Sequence, residues 1–163
     1  MAEIEKSTKA FRLGLFLGIV VVIMMLDQFT KQFVATREVG EVISVLIPGA
    51  LQITLVHNTG AAWGMFGDWT NGFIVIALIV CIFIICFVFF NSNNTNTPTV
   101  IACALLFSGG LGNALDRFLN GYVIDMIQVT FIDYPVFNIA DCAITIGVIL
   151  LIIDMLFLNK RAR

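Results

Sequence analysis

The chain has 163 residues, of which 60% are hydrophobic and 12% charged, with 15 Phe and a mean hydropathy of +1.00, well outside the range of soluble domains. This composition describes an α-helical integral membrane protein. The net charge of −2 offers no basic face for phosphates and excludes nucleic acid as a partner.

Taken in chain order, Lys6, Lys9 and Arg12 precede a first apolar run from Leu13 to about Phe33. It lacks a small-x-small cleavage site before Asp27 and is read as a retained span, not a signal peptide. Its end carries "DQFTK", which sets Asp27 and Lys31 at i and i+4 on one helix face, acid first. A structural ion pair at the end of a span accounts for this as well as support of a nearby site does. The segment 34–72 follows, with two β-rich runs around Pro48-Gly49. It also holds "HNTGAAWG", where Asn58 stands beside Gly60, Ala61 and Ala62, small residues that admit a ligand or a second chain close to the backbone. A strand end and turn would read the same way. His57 has no second histidine with which to build a metal site and is assigned no role. Trp63 and Trp69 suit the headgroup level.

Phe73 to Phe90 is an unbroken run of 18 apolar residues, which as a helix reaches roughly 27 Å and can cross a bilayer alone. The polar, uncharged loop "NSNNTNTP" leads to a third span, Val100 to Leu115, ending in "GGLGNALDR". Its glycines suit close helix packing in lipid, and Asn113, Asp116 and Arg117 follow on adjacent turns. Those charges would equally suit the plain polar end of a span. The segment 116–136 includes "VIDMIQVTF", whose alternation places Ile127, Val129 and Phe131 on one strand face and Gln128 and Thr130 on the other. The fourth span runs from Phe137 to Leu158, and Lys160, Arg161 and Arg163 close the chain. The whole is one membrane-embedded domain. Cations flanking the first and last spans place both termini in the cytoplasm, so segments 34–72 and 116–136 form a small β-sheet on the outer face. The four cysteines, Cys81, Cys86, Cys103 and Cys142, lie in apolar runs without a Cys-x-x-Cys pair and read as small apolar filler.

Two acids fit this pattern poorly. Asp125 sits in an apolar β-like run, and Asp141 lies one turn into a span, where an ionisable group costs about 2.5–3.5 kcal/mol on insertion scales. Asn138 with Asp141 at i+3 also resembles a helix N-cap with its partner acid, which explains Asp141 and leaves Asp125 unexplained. The topology gathers the polar residues of three spans and Asp125 at one membrane face, with Asp154 alone near the other. Two carboxylates in a poorly hydrated site share a proton, one serving as acid and the other as base. Such a pair can activate water against a peptide carbonyl with no serine or cysteine nucleophile. A small proton-coupled transporter or channel is the alternative, since intramembrane acids also relay protons; it predicts acids at several depths, and here they cluster at one face. A purely structural membrane protein would have no need of Asp125.

"DQFTK", "NTGAAWG", "GNALDR", "GYVIDMI" and "FNIAD" occur in the order and spacing of the bacterial lipoprotein signal peptidases, type II, and the chain resembles that family over essentially its whole length. The resemblance implies four spans, an outer β-sheet cradle, and a monomeric aspartyl endopeptidase of the bacterial inner membrane working near the outer leaflet. Its substrates would be prolipoproteins bearing a diacylglyceryl cysteine, cut just before that cysteine, with membrane lipid as surroundings and no metal or organic cofactor. By motif, Asp125 and Asp141 would be the catalytic pair. Asn58, Gly60, Ala61, Asn113, Arg117 and Asn138 would contact substrate, and Asp27, Lys31 and Asp116 would support them. Met126 replaces the Phe common in the family, a flexible apolar exchange that should adjust packing and leave the chemistry intact.

Overall fold

The computed structural model describes residues 2–61, 65–67, 69–91 and 95–158, with backbone alone at 2–6 and 158. Trp63 and Ala62, and the terminal cations Lys160, Arg161 and Arg163, lie outside the described residues. Helix α1 covers Ala2–Val34, α2 Thr70–Asn91, α3 Thr97–Asn120 and α4 Ile139–Ile153, the last continuing into a π-helical turn at Asp154–Leu158. All four are long and apolar enough to span a membrane. Each of the first three begins before the apolar run that announces it and ends after it, because polar residues at span ends remain helical. Arg117, expected just beyond the third span, therefore stands on α3.

Helix α3 is the central one. Half of its most apolar stretch is buried, against 11%, 17% and 22% in α1, α2 and α4, and it packs on all three. That stretch is also the least apolar of the four, as expected of a helix that faces protein on most sides and lipid on few. Glycines allow the close approach. A Cβ on Gly109 would collide with the Ala140 carbonyl oxygen and lie 2.6 Å from Ile144 Cγ1, and one on Gly147 would lie 2.9 Å from Leu106 Cγ. Phe16, Ile84, Val88, Val100, Cys103 and Ala104 form the core where α1, α2 and α3 meet. All four cysteines are free.

Three strands, β1 (Val42–Ile47), β2 (Leu51–Asn58) and β3 (Val123–Val129), form an antiparallel sheet in that order. The β1–β2 hairpin turns at Pro48-Gly49, with Gly49 at φ 71°. The sheet sits where α1 and α3 end and α2 and α4 begin, so one end of the bundle carries it. Its anchoring core is Val34, Leu55, Ile124 and Met126; Met126 packs as an ordinary core residue. Strand β3 runs through Val129, but its burial does not alternate: Val123 to Met126 are all buried and Ile127 to Val129 all half-buried, and Phe131, expected on the same strand, falls in the turn after it and is exposed. That turn returns the chain to the sheet edge, where Phe137 donates to and accepts from Ile127 and also accepts from Met126 N.

At the other end, Asn96 caps α3 and its Nδ2 donates to Asp154 Oδ1 at 2.6 Å. The Thr99 hydroxyl lies 2.5 Å from both Asn96 Oδ1 and Asp154 Oδ2, so the acid at that end ties α4 to the start of α3.

Gly109→Ala is expected to overpack the α3–α4 contact and cost about 1–3 kcal/mol, read as a lowered thermal unfolding midpoint of the protein in detergent. Gly18→Ala, where nothing lies within 4 Å of the added carbon, should leave the midpoint level or raise it.

Candidate functional site

Three elements deliver polar side chains to the sheet end of the bundle. α1 brings Asp27 and Lys31, and α3 brings Asn113, Asp116 and Arg117. The α4 N-terminus brings Asn138 and Asp141. Gly121, at φ 83°, ends α3 in the left-handed conformation, which lets the chain enter β3 within two residues and present Asp125.

Lys31 is 1% exposed and Asp27 0%. The ammonium uses all three of its donors: to Asp27 Oδ2 at 2.8 Å, Asp116 Oδ2 at 3.0 Å and Asn113 Oδ1 at 3.0 Å. The two acids also accept from backbone. Asp27 Oδ1 accepts from Ala140 N in the first turn of α4 at 3.0 Å, and Asp116 Oδ2 accepts from Ile124 N on β3 at 3.1 Å. Gln28, to which the sequence pattern assigns no role, donates to both carboxylates. Gly112 leaves room for the cluster, since a Cβ there would lie 2.7 Å from Asp27 Oδ2.

In front of this cluster stand Asp125 and Asp141. Each of their four oxygens accepts one hydrogen bond. Asp125 Oδ1 takes Asn138 Nδ2 at 2.7 Å and Oδ2 takes Asn58 Nδ2 at 2.9 Å. Asp141 Oδ1 takes Asn113 Nδ2 at 2.7 Å and Oδ2 takes the Asn138 backbone N–H at 3.1 Å. Asn138 therefore donates to both carboxyls. The three asparagines are oriented by their own acceptor bonds: Asn58 Oδ1 takes Gly60 N, Asn113 Oδ1 takes Lys31 and Asn138 Nδ2, and Asn138 Oδ1 takes Asp141 N. With each carbonyl so engaged, each NH₂ is turned toward a carboxylate. The capping box suggested by "FNIAD" is present and coexists with the site, because capping uses Oδ2 of Asp141 and leaves Oδ1 to Asn113.

Both carboxyls line a cavity of about 200 Å³ together with Asn58, Gly60, Ala61, Asn113 and Arg117. Asn138 bonds both acids from behind, and Asp27, Lys31 and Asp116 lie deeper. Arg117 ties α3 to the end of β2, with Nη2 donating to Gly60 O at 2.8 Å and its guanidinium 4.9 Å above the Phe73 ring. Among the described residues its buried Nε has no partner. The far wall, Tyr134 to Phe137, carries no motif that would mark it in the sequence; only the return of the chain after β3 places it there. His57 stacks on Tyr122 at 3.8 Å.

Burial is the largest influence on Asp125 and pushes its carboxyl up to about 7. The charge of Asp141 acts in the same direction, while the Asn58 and Asn138 amides and the Lys31 ammonium oppose it.

The family model described as signal peptidase (SPase) II matches residues 19–157. The chain belongs to the signal peptidase II family. It is 41% identical over 151 residues, 91% of each chain, to the lipoprotein signal peptidase of Staphylococcus aureus (strain bovine RF122 / ET3-1), and 40% identical over the same share to that of strain JH9. Two solved bacterial membrane enzymes, determined in meso at 2.3 Å and 1.9 Å, resemble it at TM-scores of 0.83 and 0.79. They are 38% and 40% identical, covering 92% and 88% of this chain and 92% and 94% of theirs. This member of the family is a multi-pass membrane peptidase.

Lys31→Met should strand two buried carboxylates and cost about 3–5 kcal/mol, measured by thermal or denaturant unfolding in detergent. A loss below about 1 kcal/mol would mean that the cluster does not hold the helix ends together.

Proposed function

We propose that this peptidase removes the signal peptide of diacylglyceryl-modified prolipoproteins just before the lipidated cysteine, with Asp125 and Asp141 as a water-activating pair. The observation that carries this reading is the sharing of Asn138, which donates to one oxygen of each carboxyl while both face one cavity. Two acids held this way cannot both ionise comfortably. One, as carboxylate, takes a proton from a water as its oxygen bonds to the carbonyl carbon of the scissile peptide. The other, as acid, protonates the departing nitrogen as the C–N bond breaks. Asp125 suits the acid, since its carboxyl titrates near 7.

Asn58, Gly60, Ala61, Asn113, Arg117 and Asn138 hold substrate or the pair, and the unpartnered Arg117 Nε offers a donor to a substrate carbonyl. Asp27, Lys31 and Asp116 support them from behind. Lys6, Lys9 and Arg12 before the first apolar run and Lys160, Arg161 and Arg163 after the last favour cytoplasmic termini by the positive-inside rule. The sheet end then faces outward from the bacterial inner membrane, with the pair near the outer leaflet, where a lipidated cysteine keeps its acyl chains in the bilayer and its peptide at the surface. The working unit in this reading is a monomer.

Incubated in detergent with a diacylglyceryl prolipoprotein, the parent protein should produce the shorter form on a gel. Asp125→Asn and Asp141→Asn, still folded, should each slow processing by at least about 10²-fold. Normal turnover in either variant would dismiss the pair.

The pH profile carries a sign. The acid form of Asp125 is lost as pH rises through about 7, so kcat/KM should decline above that value by about tenfold for each further unit. A flat profile from about pH 6 to 9 would remove Asp125 from the acid role.

A further inference from the structure

Behind the facing carboxyls, the two supporting acids make the same connection twice. Asp27 accepts from the backbone N–H of Ala140, the residue before Asp141, and Asp116 accepts from that of Ile124, the residue before Asp125. Each supporting acid therefore holds the peptide group next to one member of the pair. Asp27 stands on α1 and Asp116 on α3, and the distance between them bears on how far apart α4 and β3 carry their carboxyls.

Two side chains of α1 bridge the supporting acids. Lys31 Nζ bonds Oδ2 of each. Gln28 Nε2 bonds Asp27 Oδ2 at 3.2 Å and the other oxygen of Asp116, Oδ1, at 3.1 Å. Both protons of that amide nitrogen are thereby used. A hydroxyl would have one proton to give and a carboxylate none. Asp27, Asp116 and Lys31 are all buried, so with two acids to one ammonium the acids repel each other where water screens them little. Gln28 adds a second, neutral clasp against that repulsion. It is not among the described residues that line the cavity.

We propose that Gln28 is a positioning residue for the peptidase reaction, whose amide bridge between Asp27 and Asp116 sets the separation of the Asp125 and Asp141 carboxyls. The inference rests on the paired-carboxylate reading above. Without the bridge the two like-charged acids spread about Lys31, and through Ala140 and Ile124 the pair spreads with them. Displacement of groups that must meet one water and one peptide bond lowers turnover, while substrate contacts made elsewhere in the cleft persist. Burial chiefly raises the Asp125 carboxyl and the charge of Asp141 adds to it; a more distant Asp141 adds less, so Asp125 titrates lower. The other charges facing Asp125 are Lys31 from α1 and Arg117 from α3.

The test measures kcat and KM of the full-length protein in detergent on a diacylglyceryl lipopeptide across pH. Gln28→Met, close in size and without a donor, should lower kcat at least about tenfold with KM within about threefold of the parent's. It should also move the decline in kcat/KM from about 7 to lower pH by about half a unit or more. Gln28→Asn keeps the amide but is one methylene too short to span both acids, and should change both readings in the same direction; it carries the test should Gln28→Met fail to fold. A purely structural role would lower the thermal midpoint or the yield of active protein and leave the decline at its parental pH, and that result would overturn the proposal. So would parental kcat in both variants, or a loss confined to KM. Failure of the parent protein to cut, or normal turnover in Asp125→Asn, would instead strike the carboxylate pair itself.

Discussion

A single buried ammonium organises this protein. Lys31 donates three hydrogen bonds to side chains of α1 and α3, and the two carboxylates it neutralises pass the connection to the backbone of α4 and of β3. Four elements distant in sequence are thereby registered against one another at the sheet end of the bundle. Removing these charges from water is costly, and a buried ion cluster of this kind is a poor source of net stability. Its value here is positional, because an ammonium with every donor satisfied by a different partner tolerates little displacement of any of them.

That placement reaches the facing carboxyls through Asn113. Lys has no acceptor, so the amide of Asn113 must present its carbonyl to Lys31 and its NH₂ to Asp141. Asn138 and Asn58 are turned in the same sense by backbone donors. The result is a carboxyl pair whose four oxygens each receive one neutral donor. Neutral donors hold the geometry without forcing both groups to ionise, and burial keeps at least Asp125 titrating near neutral pH. A cation in direct contact would have locked a carboxylate in its charged state; the cation is instead kept one residue behind.

The two ends of the bundle show how far polarity can be buried for different purposes. Asp154, with Asn96 and Thr99, closes a local staple between α4 and the start of α3. At the sheet end the same residue types open onto a cavity bounded partly by loop backbone. An apolar surface of the right length takes the helices across a membrane, while small residues such as Gly109, Gly112 and Gly147 let α3 approach its neighbours closely enough for these short polar side chains to meet.

Features that depend on neighbours along the chain are legible in the sequence by itself. Four spans follow from apolar runs long enough for a bilayer, the Asp27–Lys31 pair from its spacing of four, the hairpin from Pro48-Gly49, and the capping box from the interval between Asn138 and Asp141. The five motifs carry the family, and with it the grouping of Asp125 with Asp141. Tertiary structure alone decides that Lys31 also bonds Asp116 and Asn113, that Arg117 holds Gly60, that Gln28 joins the buried acids, and that 134–137 walls the cleft beyond a strand ending before Phe131. The division has a physical cause. Helix and turn geometry fix which residues a few positions apart can touch, whereas contacts across some 60 to 110 residues depend on how whole elements pack, and nothing in the local letters sets that distance.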